Sequence, residues 1–452
     1  MKFNLKVFAI LALLFTTSFL LQPQHALGSP LDSDDDGYPD NDAYWVAQSS
    51  IEGEEEWARF GYSASFSLDG SVVSIGSTRA TNNDDITTGS VKVFHRTDSV
   101  WEQLGSDIFG SSDGDNFGYS VATSGNGSRV AISSSWANFA EVYEWSGTSW
   151  QQLGGNDCCK GSQYYGEAID ISYDGTVLVV GETGINQLHT GRVHIYSWSS
   201  VSSIWIKTAE ISSDFAGDKF GAAIDLSSDG RYLAVGSYSR ESSKGAIETY
   251  SLQSDSWVKY GQSLEGIEGS YSGYSVGISD DGESLVFGGM GASAEVKVFD
   301  LSQNLWQERP EISSVPPRGV NISSNGSQVS VSSNSSTEIF EYNGVSWAQK
   351  GQTIQAGWDF FDVSSDGSHI VIPNPFYDLV SDNGSIIKDD IGAAYFYQFY
   401  SADAFPDDSS EWFDTDYDGI GNNSDTDDDD DGVEDALDAF PLDFSETNDS
   451  DN

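Results

Sequence analysis

Seven copies of one short turn, Ser-x-Asp-Gly or Ser-x-Asn-Gly, place glycines at Gly70, Gly127, Gly175, Gly230, Gly282, Gly326 and Gly367. An Asp-Gly or Asn-Gly pair between two β-rich runs is the strongest short-range hairpin signal. Successive gaps are 57, 48, 55, 52, 44 and 41 residues, the period of propeller blades. A tryptophan keeps the same register: Trp101, Trp150, Trp205, Trp257, Trp306 and Trp347 precede the next glycine by 26, 25, 25, 25, 20 and 20 residues.

The fourth repeat shows what one copy encodes. Apolar and polar residues alternate from Phe220 through Leu226, the turn falls at Ser228-Asp229-Gly230, and Tyr232 to Gly236 reads as the return strand. A third strand follows at Gly245 to Tyr250 and a fourth at Trp257 to Tyr260. A lone four-stranded meander is marginally stable, so the repeats must pack on one another. The seventh repeat has strands around Phe361, Ile370 and Tyr395 but no fourth-strand tryptophan, whereas Trp45 precedes Gly70 by 25 residues. The register therefore predicts that Tyr44 to Gln48 forms the outer strand of the last blade and removes an unpaired edge. The expected fold is all-β: a seven-bladed β-propeller over 44–400, closed by an N-terminal outer strand, with irregular Asp-rich loops at 29–43 and 401–452.

Residues 1–28 carry two lysines, an apolar run from Val7 to Leu14 extended by Phe19 to Leu21, and small residues at Ala26 and Gly28. This is the pattern of a secretory signal peptide removed after Gly28. Thr16-Thr17-Ser18 interrupts a run already short for a spanning helix, and no later segment could cross a bilayer. The expected location is extracellular or cell-surface, and a monomer is expected. A formal net charge of -51 makes nucleic acid and anionic membranes poor partners.

Of the 71 carboxylates, 6 lie in Asp32 to Asp42 and 20 in Asp403 to Asp451, with no lysine or arginine in either stretch. Asp32, Asp34, Asp36, Asp40 and Asp42 surround Gly37, so alternate side chains converge while the glycine takes the sharp turn. Asp414, Asp416, Asp418, Gly419 and Asp425 fill positions 1, 3, 5, 6 and 12 of a twelve-residue loop. Asp427, Asp429, Asp431, Gly432, Asp435 and Asp438 fill positions 1, 3, 5, 6, 9 and 12 of the next. The carbonyls of Ile420 and Val433 stand at position 7. Hard oxygen ligands in that number suit Ca²⁺. An EF-hand is disfavoured by Asp at position 12 and by the lack of flanking amphipathic helices.

Asp438-Ala-Phe-Pro441 closes the second loop, echoed at Asp403-Ala-Phe-Pro406. At these residues the chain resembles the thrombospondin type 3 repeat in its cysteine-poor form, and the resemblance implies Ca²⁺ on the tail aspartates. The amino-terminal copy departs from the pattern at position 12, which is Ala43. The blades resemble FG-GAP repeats of the integrin α-chain type, with Phe-Gly at Phe60-Gly61, Phe117-Gly118 and Phe220-Gly221 and Tyr165-Gly166 close to it. Some blades of that family hold Ca²⁺ in the hairpin, but the third residue after the glycine is apolar here at Val73, Val130, Leu178 and Leu233. The Asp-Gly pairs therefore read as turn formers.

In such a propeller the 1–2 and 3–4 hairpins lie on one face, and the 2–3 loops and blade crossings on the other. The second face combines Glu54, Glu55, Glu56, Asp113, Asp115, Asp214 and Asp218 with Trp136, Tyr164, Tyr238 and Trp358. Loops on a rigid scaffold commonly carry binding, and integrin-like propellers use this face. The expected function is a secreted calcium-binding module for binding or adhesion, its partner an extracellular glycan or protein. The alternative is an exported enzyme, a polysaccharide lyase or hydrolase or a quinoprotein-like catalyst, working at the channel mouth. His95, His189, His194 and His369, the histidines beyond the leader, show no metal or base–nucleophile spacing. Cys158 and Cys159 have two states open to them, a vicinal disulfide or paired thiols. Asn-x-Ser sites at Asn126 and Asn325 replace Asp in hairpin turns and read as turn chemistry.

Overall fold

The computed structural model describes residues 44–400 except 98–99, 156–158, 163, 185–188, 292, 313, 315–316, 359 and 381–385, together with 420–428, 433 and 435. The expected leader and amino-terminal Asp loop, and Cys158, lie outside the described residues. Seven antiparallel sheets succeed one another along the chain. Six run in order from inner to outer strand: Phe60–Phe66 to Val100–Gln103, Val121–Thr123 to Trp150–Leu153, Tyr165–Ile171 to Ile204–Ala216, Phe220–Leu226 to Ser256–Glu265, Ser275–Ile278 to Leu305–Glu308, and Gly319–Ile322 to Trp347–Gln349. The only helix among the described residues is the single turn Arg240–Ser243.

The seventh sheet is assembled from both ends of the propeller. Its order is Asp362–Val363, His369–Asn374, Ala393–Tyr400 and then Tyr44–Glu52. The closing strand is longer than its sequence signal, running to Glu52 opposite Ala393, because a bulge at Gln48 lets the ladder continue. Its long 2–3 loop also holds a small hairpin, Leu379–Val380 against Ile386–Lys388.

Burial explains the strand sequences. Second strands are sandwiched between neighbouring blades, so Val72–Ser77 and Ser284–Gly288 are buried at every residue and carry small or apolar side chains throughout. Outer strands alternate, and their tryptophans reach back to the preceding blade. The indole N–H of Trp150 donates to Leu104 O at 2.8 Å and that of Trp205 to Leu153 O at 3.2 Å. In both cases the ring lies on the following glycine, Gly105 or Gly154, where a Cβ would collide with it. Trp45 repeats this geometry across the closure, donating to Lys350 O at 3.0 Å and lying on Gly351. The same local rule thus operates between residues 305 apart in sequence.

The hairpins are held by side-chain chemistry. Asp69 Oδ1 accepts from Ser67 Oγ at 2.6 Å and from the N–H of Ser71 at 2.9 Å, and Asn126 Oδ1 does the same with Ser124 and Ser128. These side-chain oxygens are engaged by the turn itself, as expected for turn formers. Backbone bonds then join adjacent hairpins around the channel mouth. Leu68 N–H donates to Gly125 O, Asn126 to Tyr173, Tyr173 to Ser228, Asp280 to Ser324, Ser324 to Ser365 and Ser365 to Leu68, over 2.7–3.4 Å. Only the step from Ser228 uses a side chain, Asp280 Oδ1 at 2.7 Å.

Candidate functional site

The channel is lined by the inner strands, and the residue five before the hairpin glycine holds one equivalent register position in every blade. Those residues are Ser65, Ala122, Asp170, Asp225, Gly277, Asn321 and Asp362. All but Ala122 border a cavity of about 160 Å³ on the hairpin side. Each carboxylate accepts from the backbone of the next blade: Asp170 from Leu226 N–H at 2.7 Å, Asp225 from Ile278 at 2.5 Å, and Asp362 from Phe66 at 2.8 Å. Ser65 Oγ does the same for Thr123 N–H at 3.0 Å. Where Ala122 supplies no acceptor, Asp170 Oδ1 turns back to its own neighbour Ile171 at 2.7 Å.

The three carboxylates border the cavity only at their edges, and protein surrounds them. Burial raises Asp170 to about 7 and Asp362 to about 6, against the pull of the backbone N–H groups. Asp225 is pushed well above the usual carboxylate range by burial and then by Asp170. Convergent carboxylates held near neutrality are what acid–base chemistry requires, yet here each is also a staple between blades.

At the opposite end, the residue after the Phe-Gly glycine points to the axis. Tyr62, Tyr119 and Tyr274 occupy that position in blades 1, 2 and 5, with Glu167 in blade 3. The rings of Tyr62 and Tyr119 lie 5.2 Å apart, Tyr62 stacks on Phe360 at 6.0 Å, and Tyr238 meets Tyr274 at 5.7 Å. Burial holds the Tyr119 hydroxyl protonated, reinforced by Tyr62, Glu167 and Tyr274, so groups from across the ring share one field. Burial likewise pushes Tyr238 up to about 12. An aromatic collar with one carboxylate therefore rings the channel mouth on the crossing side.

Outside the collar, exposure is lopsided. Among the described residues six aromatic side chains are exposed: Trp57 at 50%, Trp136 at 73%, Tyr164 at 45%, Phe215 at 39%, Phe376 at 45% and Tyr173 at 47%. Four of the first five belong to crossings or 2–3 loops, Phe215 stands at the crossing end of the outer strand Ile204–Ala216, and only Tyr173 belongs to a hairpin. Of the face residues anticipated from sequence, Trp136 and Tyr164 stand out, Tyr238 joins the collar, and Trp358 lies behind Phe376 at 5.4 Å. Asp115 and Asp218 differ from expectation: both are buried loop caps. Asp115 accepts from the N–H groups of Ser111 at 3.1 Å and Ser112 at 2.7 Å, and Asp218 from Phe220 N–H at 3.1 Å and from the Ser213 hydroxyl.

One carboxylate cluster was not foreseen. Asp378, Asp389 and Asp390 in the blade-seven loop bring carboxylate oxygens within 4.8 Å of one another, close enough to share a cation. Desolvation and the neighbouring Asp378 raise Asp389. Of the calcium ligands expected from sequence, Ile420, Asp425, Asp427, Val433 and Asp435 are described. Asp435 N–H donates to Thr426 O at 2.9 Å, and its carboxylate accepts from Asp428 N–H at 2.9 Å, folding position 9 of the second loop back on its start. Asp425 accepts from Thr426 and Asp427 N–H at 2.6 and 3.1 Å. Asp32, Asp34, Asp36, Asp40, Asp42, Asp414, Asp416, Asp418, Asp429, Asp431 and Asp438 lie outside the described residues.

His194 is more than a strand filler. It is 4% exposed, its Nε2 is 2.7 Å from Glu182 Oε2, and its Nδ1 is 3.5 Å from Glu210 Oε2. Its hydrogen bond is the main cause holding Glu182 down to about 2, and Ser162 from the blade crossing also donates to that carboxylate. Breaking a buried pair from one side leaves a carboxylate without compensation. His194→Leu is therefore expected to cost about 3–5 kcal/mol in urea unfolding, with much of the loss recovered by adding Glu182→Gln. A double variant no more stable than the single one would dissolve the pairing.

Fold and site together define a seven-bladed β-propeller with an aromatic collar at one channel mouth and a carboxylate ring toward the other. No protein-family model matches the chain, and no curated protein matches its sequence. Among solved structures, a chain of Kuenenia stuttgartiensis hydrazine synthase is similar in fold, with a TM-score of 0.51 over 71% of this chain and 93% of that one. At 12% identity the likeness extends to architecture alone.

Proposed function

We propose that the protein is an exported, calcium-binding β-propeller that serves as a binding or adhesion module, with its ligand on the face of crossings and 2–3 loops. The observation that carries this reading is the gathering of exposed aromatics on that face, five of the six in the described chain. Exposed aromatic side chains on a rigid scaffold mark contact surfaces. The resemblance to FG-GAP blades supports the same face. A screen of arrayed glycans and extracellular proteins against wild type and the double variant Trp136→Ala/Tyr164→Ala tests it. Binding is expected to disappear in the variant, and binding that survives intact would overturn the assignment of the face.

Calcium belongs to this reading through the loops at Asp32 to Asp42 and Asp414 to Asp438. The closing strand begins at Tyr44, and its partner strand ends at Tyr400, paired with it. Short connectors, at about 3.3–3.6 Å per residue, keep the two acidic segments near the same rim, where like charge repels unless cations intervene. Chelation is thus expected to lower the unfolding temperature of the whole propeller as well as release the tail. Calorimetry of full-length and tail-deleted protein, with Ca²⁺ and with chelator, checks this. A propeller transition of the full-length protein that ignores chelator would make the tail an independent appendage.

A second reading, an exported enzyme working at the channel, is favoured by the raised carboxylates Asp170, Asp225 and Asp362 around their cavity. The blade-stapling hydrogen bonds account for the same three residues without catalysis, so the binding module is preferred.

A further inference from the structure

We propose that the crossing-and-loop face takes a neutral polysaccharide, whose pyranose rings stack on aromatic platforms that the protein holds rigid from behind. This rests on the reading of that face as the binding surface and adds the chemical class of ligand.

The platforms are fixed before any ligand arrives. The Lys219 ammonium lies 4.7 Å from the Tyr164 ring centre, the Arg59 guanidinium 5.0 Å from that of Phe376, and Arg240 3.7 Å from that of Phe215. Lys219 is itself anchored at Gly184 O, 3.2 Å away. With the Asn116 amide oriented to satisfy both its atoms, its oxygen accepts from the Trp136 indole N–H at 3.3 Å while its nitrogen donates to Thr78 O at 3.2 Å. Rings held in this way lose little freedom on binding, so more of the stacking energy appears as affinity.

The same contacts select the ligand's charge. On Tyr164, Phe376 and Phe215 the cation over one face draws on the ring quadrupole that would attract a second cation, so these three rings are poor cages for quaternary ammonium groups or basic side chains. The aliphatic C–H face of a neutral sugar has no such requirement. Polyanions are opposed by the surrounding carboxylates, among them exposed Glu54 and the cluster of Asp378, Asp389 and Asp390, and by the net charge of -51. Those carboxylates, with the collar tyrosines, remain suitable partners for sugar hydroxyls.

Affinity electrophoresis of the full chain through gels containing glucan, xylan, mannan or galactan tests the proposal, with alginate, carrageenan and chitosan as charged comparisons. At least one neutral polymer is expected to retard the protein, with affinity at least tenfold weaker in Trp136→Ala and in Tyr164→Ala, largely restored in Trp136→Phe, and within twofold of wild type in Tyr173→Ala on the hairpin face. These side chains are exposed, and unchanged melting of each variant confirms that folding is intact. Retardation only by a charged polymer, lost in Trp136→Ala, would retain the face and overturn the neutral class. Retardation lost in Tyr173→Ala but kept in Trp136→Ala would overturn the face itself. No retardation by any neutral polymer would overturn the class, while the array comparison of the double variant separately decides the face.

Discussion

Trp45→Ala is expected to destabilise the entire ring by about 3–5 kcal/mol, the usual cost of truncating a buried aromatic side chain. Trp45 is 2% exposed and packs in one cluster with Ile339, Ile354, Phe361, Ile370 and Ile372, so it touches the last two blades together. Its backbone is fixed as well, with its N–H donating to Gln352 Oε1 at 2.8 Å and its carbonyl accepting from Gln352 Nε2 at 2.6 Å. Removing residues 31–52 should go further. It would strip the ladder that runs from Tyr44 opposite Tyr400 to Glu52 opposite Ala393, exposing the edge of Ala393–Tyr400 with Phe396 and Phe399 on it. Such an edge pairs with other chains, so oligomers are expected beside a lowered unfolding temperature. Calorimetry and size-exclusion chromatography read both effects. Removing residues 403–452 should cost much less, and equal losses from the two truncations would argue against closure by the amino-terminal strand.

The channel carboxylates should make stability depend on pH in the direction opposite to ordinary ion-paired acids. Their folded values, about 7 for Asp170, about 6 for Asp362 and well above normal for Asp225, exceed the unfolded value of about 3.9. Between these limits the folded protein retains protons that the unfolded chain has released. The stability linked to these groups is therefore complete below about pH 4 and declines as pH rises toward about 7. Asp225→Asn keeps an oxygen to accept from Ile278 N–H and cannot ionise. It is expected to be more stable than wild type at pH 8, with the gain vanishing near pH 4. Urea unfolding at both pH values gives the comparison, which cancels acids such as Glu182 that titrate the other way. A difference independent of pH would mean that Asp225 is not raised in the folded ring.

Much of the architecture was legible in single residues. The Ser-x-Asp-Gly turns gave the number of blades, because each turn satisfies its own donors and acceptors locally. The distance from Trp45 to Gly70 placed a strand in a blade whose other strands lie more than 300 residues on, since Trp45 keeps the spacing of the other outer-strand tryptophans and lies on Gly351 as Trp150, Trp205 and Trp306 lie on Gly105, Gly154 and Gly261. The extension to Glu52 was not legible, because the bulge at Gln48 breaks the alternation that a strand pattern needs. The hairpin of Leu379–Val380 and Ile386–Lys388 was hidden in the same way, as two very short strands inside a polar loop.

The sites divide along the same line. The face of crossings and 2–3 loops follows from meander topology, and the sequence alone indicated that Trp136 and Tyr164 belong to it. The collar of Tyr62, Tyr119, Glu167 and Tyr274, and the ring of Asp170, Asp225 and Asp362, each draw a single residue from a repeat, so no local window contains more than one member. A signal existed, an aromatic after the Phe-Gly glycine and an Asp five before the hairpin glycine, but its meaning required rotation of the blades about one axis. Burial was decided only there too: Asp115 and Asp218 look like surface carboxylates along the chain and become caps when their crossings fold over them. Periodicity and turn chemistry are local and survive in one dimension, whereas convergence and desolvation arise when distant repeats close into a ring.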